Sequence, residues 1–580
     1  MNVLGISSLD TDSTAALVIN GTLVGGLAEE RLSRVKLHAG FPWKSVQCIL
    51  AEFDLRPDQI DAITYPFFPW YWEAGYMGLG FARDLPHALF GPVGVADRLS
   101  HWAYYSRWLR DSIRDHLRFN RELRAGLCRL GFDLQRLHWV EHHTAHAASA
   151  YYTAGFPEAL IVTLDAYGSG LAGSVSVGGA RGIRRIANLW YPNSFGLFYA
   201  QVTEALGFKP TRHEGKIVGL AAFGDPRDLG PLVAARFNSS TSNPVYRLAM
   251  DMRFARRLGK THPREAVAAA YQRVLEDRCV QIVSHYLHST GLRHVVLAGG
   301  VTANVKLNQR IHEIPGVEGI FIHPNMADGG TAAGGALWWS SHQIPDLRPR
   351  SLAHVFFGPE YSNTEIQEAL QETGLEWSRP QNLEGEVASL LAQGKIVARF
   401  SGRMEYGPRA LGNRSILYEA TDPKVNDWLN KRLGRTEFMP FAPITLREEG
   451  GRCFQGLRGA DLAAHFMTVT FNCTDYMRQT SPAAVHVDGT ARPQLVGPEA
   501  TPGLYRILKE YRRLTGIPSL INTSFNMHEE PIVCSPRDAI RAFTLGHLDY
   551  LAIGNFLVAN PQREVRPRSE GQLVGMESRK

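Results

Sequence analysis

The stretch NVLGISSLDTDSTAALVINGTLVGGL, residues 2–27, decides the fold. Residues 2–7, 15–19 and 22–27 are short apolar runs broken by Asp, Ser, Thr and Gly, which predicts three strands joined by turns. The plan returns in ALIVTLDAYGSGLAGSVSVGGARGIRRIANL, residues 159–189, with a strand over 159–164, an acidic Gly/Ser turn beginning at Asp165, and strands over 171–178 and 182–189. Strand, acidic turn, strand, strand, met twice, reads as an internal duplication of a β-meander. Amphipathic stretches follow: over 264–289, Val267, Ala270, Tyr271, Val274 and Leu275 share a helical face. The first half is therefore α/β, with two related subdomains.

Composition narrows the function classes. With Lys+Arg 62 against Asp+Glu 56 in 580 residues, the net charge of +6 and the lack of a Lys/Arg run disfavour a nucleic-acid partner. Hydrophobic residues at 44% and charged residues at 20% are those of a globular protein rather than a disordered chain or a coiled coil. The six cysteines contain no CxxC, which argues against a disulfide framework and a zinc ribbon and for a reducing cytoplasm. No basic, then apolar, signal segment opens the chain, and no apolar run reaches the roughly 18 residues of a spanning helix, so no membrane partner is expected. Oligomeric state is left open. The polar tail, 561–580, is expected to be a flexible end.

A Pro- and Arg-rich stretch, PDLRPRSLAHVFFGPEYSNTEI from Pro345, reads as a linker, with one domain over 1–350 and a second over 356–560. The second opens with a helix around 362–374 and a strand at 395–400, and continues as α/β. Residues 64–108 concentrate aromatics without clear patterning; they read either as a packed insertion or as a wall for a ring-containing acceptor.

Three groups of residues point to chemistry. In EHHTAHAASA, His142 and His146 stand four apart, so one helical face presents both imidazoles, while His143 points elsewhere. Asp165 ends a buried strand, and Asp328 precedes the helix start GGTAAGGA; with the two histidines they would make a mixed N/O site suited to Fe(II), Mn or Zn. HVVLAGG at 294–300 followed by ANVKLNQRI is a strand, glycine turn and helix start, a place where backbone can approach a nucleotide through Gly299, Gly300 and Asn304. Four strings in the second half, GRMEYGPRALGNRSIL (402–417), NKRLGRTEFMPFAP (430–443), HVDGTARPQLV (486–496) and INTSFNMHEEPIV (521–533), join Arg, Asn, Ser or Thr to Gly or Pro, a pattern suited to a polyanion.

These strings, with LDAYGSG, EGKIVGLAAFG (214–224) and GGVTANVKLN (299–308), resemble the nodulation-type O-carbamoyltransferases over most of the chain. The resemblance implies an actin/Hsp70-like amino half, similar to tRNA threonylcarbamoyl-transfer proteins, and a YrdC-like α/β carboxyl half. It implies that His142, His146, Asp165 and Asp328 hold iron, and that Gly299 and Gly300 contact nucleotide. It also implies a catalytic loop with a downstream lysine, here Lys36. Relatives commonly carry His-Asp in that loop, whereas this chain reads Asp10, Thr11, Asp12; threonine is a poor base, so Asp10, Asp12 or a metal-bound acceptor would take that part. In the carboxyl half, Arg409, Asn413, Arg414, Arg492, Asn522, Ser524 and Asn526 would hold carbamoyl phosphate and ATP, the latter with Mg²⁺. Where some relatives have a lysine and a later arginine, this chain has Leu433 and Met439, leaving the charge to Lys431, Arg432 and Arg435. HEEP at 528–531 departs from a more usual glycine-containing turn. The implied activity is formation of carbamoyl-adenylate and transfer of the carbamoyl group to a hydroxyl of a small metabolite. The competing readings are a tRNA-carbamoylating enzyme, disfavoured by charge, and a non-catalytic nucleotide-gated binding protein, which Thr11 keeps in view.

Overall fold

A computed structural model describes residues 1–8, 11–90, 94–238, 240–242, 252–434 and 439–561. The expectations for Asp10, Arg435 and the tail from 562 onward fall outside these residues. The architecture is mixed α/β, built around three large sheets.

The first sheet contains β1 (Asn2–Ser7), β2 (Thr14–Ile19), β3 (Thr22–Ala28), β4 (Ala62–Tyr65) and β5 (Leu137–Trp139), in the order β3-β2-β1-β4-β5. The second contains β6 (Ala159–Gly168), β7 (Leu171–Gly179), β8 (Gly182–Trp190), β9 (His294–Ala298) and β10 (Gly319–Ile322), in the order β10-β9-β6-β7-β8. Each is an antiparallel meander whose first strand pairs in parallel with the fourth, and the fourth with the fifth. Identical order and sense in both sheets is the duplication that the repeated sequence plan predicts. Gly5 pairs with Ala16 in one meander and Val162 with Val175 in the other, so buried small and branched residues face each other across both.

Two helices fill the space between these sheets. The helix His142–Ala154 packs against β6 and β9, and the helix Gly329–Gln343 packs against β1 and β2, while the two helices pack against each other. Both are buried nearly all round, so neither shows an amphipathic stripe. Small residues let them sit this close. A Cβ placed on Gly5 would lie 1.8 Å from the Ala332 carbonyl oxygen, and one on Gly334 would lie 1.8 Å from that of Ala145.

The third sheet belongs to the carboxyl half: β11 (Trp377–Ser378), β12 (Val397–Phe400), β13 (Arg414–Glu419), β14 (Ala442–Leu446), β17 (Gln494–Val496), β18 (Ser519–Ser524), β19 (Tyr550–Ile553) and β20 (Phe556–Ala559). β15 (Phe471–Asn472) and β16 (Thr490–Ala491) form a separate ribbon. The eight-stranded sheet is mixed, with parallel pairs β12–β19 and β14–β17.

The aromatic region that lacks pattern in the sequence is a helical hairpin, Trp70–Phe90 and Val95–Arg129. Tyr105 and Trp108 stack on each other and pack against Tyr191, just past β8, with Trp108 and Tyr191 ring centres 4.5 Å apart, so the hairpin's inner aromatics seat it on the second sheet's edge. Among the described residues no helix is long and apolar enough to cross a membrane.

Because the helix–helix contact is backbone to backbone, Gly334→Ala should destabilise the protein by about 2 kcal/mol. Gly75→Ala, at a helical glycine with no atom within 4 Å of the added carbon, should be neutral or stabilising. Denaturant midpoints of the two variants check the contrast; equal midpoints would contradict the packing.

Candidate metal centre and the cleft between the halves

The helix His142–Ala154 begins with a strong cap: Glu141 accepts from the backbone N–H of Thr144 at 2.7 Å. That start sets His142 and His146 one turn apart, facing the end of β6. His142 Nδ1 lies 3.3 Å from the Pro66 carbonyl, a contact that fixes the ring with Nε2 turned toward the carboxylates. His142 Nε2 and His146 Nε2 stand 3.3 and 3.0 Å from Asp165 Oδ2, and 3.6 and 3.5 Å from Asp328 Oδ1. Asp328 is the residue immediately before the helix Gly329–Gln343. One ligand atom from each of the four residues lies within 4.8 Å of all the others.

These residues fit a divalent ion. Nitrogen and oxygen atoms separated this way are the edges of a coordination shell with bonds of about 2.0–2.2 Å. Glycines make room: a Cβ on Gly168 would lie 2.0 Å from His142 Cδ2, and one on Gly300 would lie 3.2 Å from Asp165 Oδ1. The electrostatics ask for a cation. Burial alone would push the His146 imidazole down, but hydrogen bonds to Asp165 and Asp328 raise it to about 9. Burial likewise opposes ionisation of Asp165, yet the two histidines hold it well below the ordinary carboxylate range. Without a metal, a proton on His146 is the positive charge between the carboxylates.

The sequence reading missed Glu73. Fully buried on the helix Trp70–Phe90, it accepts from Phe68 N–H (3.0 Å), the Tyr167 hydroxyl (3.0 Å) and the Ser169 hydroxyl (2.7 Å). Ser169 Oγ accepts in turn from the His142 backbone N–H at 3.4 Å. The insertion is thereby tied to the turn that follows Asp165 and to the start of the histidine helix. The available signal was that Glu73 is the sole charged residue from Pro66 to Ala82. His143 turns away, its Nδ1 3.0 Å from Thr163 Oγ1.

Between the halves lies a cleft of about 370 Å³. It gathers Lys36 from the amino half with Arg409, Arg492, Asn522, Ser524 and Asn526 from the carboxyl half, six of the residues singled out from sequence. Others from the same strings are engaged elsewhere. Arg414 is fully buried, stacked 3.7 Å over the Phe400 ring, and its guanidinium donates to the carbonyls of Ser401, Gly402, Asn413 and Pro359. Asn413 accepts from Arg399 at 2.9 Å and donates to the Arg403 carbonyl at 2.8 Å. Arg432 donates to the His547 carbonyl and lies 4.0 Å from Asp549, and Lys431 is exposed outside the cleft. Backbone carbonyls and side-chain partners thus take polar groups of Arg414, Asn413 and Arg432, and Lys431 stands outside the cleft. Asn304 caps the helix Val305–His312, accepting from Leu307 N–H at 3.0 Å, and exchanges hydrogen bonds with Gln272. Gly299, at φ 96°, lies so near β6 that its Cβ would stand 2.2 Å from the Leu164 carbonyl oxygen.

Two connections join cage and cleft. Asp12 is pushed up to about 7, first by burial and then by Asp328 and Glu30, against Lys36 and Arg31. It thus feels a metal ligand on one side and a cleft lysine on the other. Lys36 Nζ donates to Glu30 at 3.2 Å; burial lowers its ammonium below the ordinary lysine range. The second connection is mechanical. Tyr406 donates its hydroxyl hydrogen to the carbonyl of Gly329, next to Asp328, at 3.1 Å, and Arg31 donates to the Gly407 carbonyl at 2.9 Å. The loop that carries Arg409 therefore rests on the start of the helix that Asp328 precedes.

A family model described as Carbamoyltransferase N-terminus matches residues 2–337, and one described as Carbamoyltransferase C-terminus matches residues 388–560. An uncharacterised protein of Synechocystis, sll1178, is 32% identical over 97% of this chain and 98% of its own length. The nodulation protein NolNO of Sinorhizobium fredii is 31% identical over 97% of this chain and 81% of its own length. Among solved structures, HypF of T. kodakarensis is 13% identical, with a TM-score of 0.32 over 59% of this chain and 47% of that one.

The cage should bind about one divalent ion per chain, and His142→Ala or Asp165→Asn should abolish retention in elemental analysis. Because a proton must leave His146 before the ion enters, affinity should rise about tenfold per pH unit from about 6.5 to about 9 and flatten above. Chelator competition across that range reads the slope; a flat profile would contradict the protonated cage.

Proposed function

The chain belongs to the carbamoyltransferase family, and from that premise we propose that it is an ATP-dependent O-carbamoyltransferase acting on a hydroxyl of a small molecule. In this reading residues 1–350 form an actin/Hsp70-like transfer domain and residues 356–560 a YrdC-like activation domain. The twice-used five-strand order supports the first assignment. The observation that carries the function is the joint cleft, in which Lys36 from one half meets Arg409, Arg492 and Ser524 from the other beside a metal cage.

The chemistry explains why two sites are useful. Carbamate is a poor electrophile; its oxygen attacks the α-phosphorus of ATP, the bond to the β-phosphate oxygen breaks, and pyrophosphate leaves. Carbamoyl phosphate supplies the carbamate by losing phosphate to water. Arg409 and Arg492 neutralise charge on the phosphates and Ser524 fixes their orientation, while Asn522 and Asn526, whose amides donate to Ala410, Gln494, Met527 and Glu530, hold the wall of the cleft. In the second step the acceptor oxygen bonds to the carbamoyl carbon, AMP leaves, and the hydroxyl proton goes to a base. Asp12 fits that part, since burial and the charges of Asp328 and Glu30 push its carboxyl up to about 7. Lys36 would stabilise charge on the carbonyl oxygen or on the departing phosphate. A divalent metal in the cage, Fe(II) in this reading, would act as a Lewis acid that acidifies the acceptor hydroxyl.

Arg492→Ala should lower carbamoyl phosphate-dependent ATP–pyrophosphate exchange about 100-fold or more. His142→Ala should leave exchange near the wild-type rate and stop transfer to the acceptor. Equal loss of both steps in a folded His142→Ala protein would overturn the division of labour.

A further inference from the structure

Two carboxylates line the cleft, Glu529 and Glu530, among cations that include Lys36, Lys216, Arg409 and Arg492. They face different ways. Glu530 is engaged by Arg541, which donates to its two oxygens at 2.8 and 2.9 Å. Glu529 crosses the rim instead: its Oε2 meets the Arg212 guanidinium of the amino half, and the Nε2 atoms of His213 and His528 each stand 3.7 Å from its Oε1. The pair therefore joins a loop of each half over the cleft that both halves line.

Both loops are braced. Thr211 and Glu529 each lie at φ 63°, in the left-handed region that glycine favours and a β-branched threonine rarely enters. On the amino side, Thr211 N–H donates to Glu214 Oε1 at 2.6 Å, and His213 N–H donates to the Lys209 carbonyl at 3.0 Å. On the carboxyl side, Asn526 Nδ2 donates to the Met527 and Glu530 carbonyls, and Glu530 N–H donates back to Met527. Strained residues that persist on opposing loops mark segments whose conformation serves a contact.

The energetics favour exchange over permanence. Glu529 is 45% exposed and Arg212 19%, so the carboxylate keeps access to water while the guanidinium faces into the cleft lining, and the pair gains less than a fully buried one. A phosphate offers the same guanidinium two directed acceptors, as the carboxylate does, and more charge. We propose that Arg212 is a phosphate-binding residue of the cleft and that Glu529 occupies its guanidinium until a polyphosphate displaces it. The Arg212–Glu529 pair is then an anion-operated latch between the halves. This rests on the reading of the cleft as a polyphosphate site.

The test is calorimetric titration of inorganic pyrophosphate into the full chain and into Glu529→Gln, Arg212→Gln and the double variant, with thermal unfolding confirming that each is folded. Glu529→Gln should bind about fivefold more tightly and Arg212→Gln about tenfold or more weakly. The double variant should bind no better than Arg212→Gln, because without the arginine the carboxylate has nothing to withhold. If Glu529→Gln tightens binding equally in the Arg212→Gln background, the carboxylate acts only through its general field and the latch is wrong. A wild-type chain that takes up no pyrophosphate would refute the polyphosphate reading together with the latch. A chain that binds it and is indifferent to both substitutions would refute the latch alone.

Discussion

Two carboxylates facing two buried imidazoles set the terms for the amino half. Buried Asp165 keeps its charge only beside positive partners, and the cage meets that demand with a proton on His146 or would meet it with a metal ion. The fold around it follows from the need to bring four side chains from three elements to one point. β6 supplies Asp165 from the irregular stretch before Gly168, one helix supplies both histidines, and the residue before another supplies Asp328. The two helices can converge only because Gly334 admits the Ala145 carbonyl and Gly5 admits that of Ala332. The small residues between the sheets are thus part of the metal site, although none of them is a ligand.

The same geometry carries the cage's influence outward. Gly329, one residue past Asp328, accepts from Tyr406, and three residues beyond Tyr406 stands Arg409 in the cleft. Asp12 links the two places electrostatically, responding to Asp328 and to Lys36. Cage and cleft are thus joined by one hydrogen bond and one shared electrostatic neighbour. The connection suits the proposed two-step reaction, in which the activated group would form among arginines and be used near the cage.

Much of this was legible in the sequence, for local reasons. The meanders announce themselves as apolar runs of strand length broken by turn residues, and the histidine pair by its spacing of four. The cleft was only partly legible. Arg409 and Arg414 sit five apart in one string, yet the first lines the cleft and the second, opening β13, lies under four carbonyls and over Phe400. Sequence cannot separate these fates, because a guanidinium offers the same donors to a phosphate as to backbone oxygens. Glu73 was missed because its partners Tyr167 and Ser169 lie 94 and 96 residues away. The hairpin was obscured by Gly75, Gly78, Gly80 and Pro86, which lower helix propensity, and by aromatics on both faces.

The most direct test of the central claim is anomalous diffraction from crystals of the intact protein grown with Fe(II), with data collected across the iron edge. The account predicts one strong anomalous peak within bonding distance of His142 Nε2, His146 Nε2, Asp165 and Asp328, with the His146–Asp165 hydrogen bond replaced by two metal bonds. No anomalous density at that position, with the direct His146–Asp165 hydrogen bond retained, would contradict it.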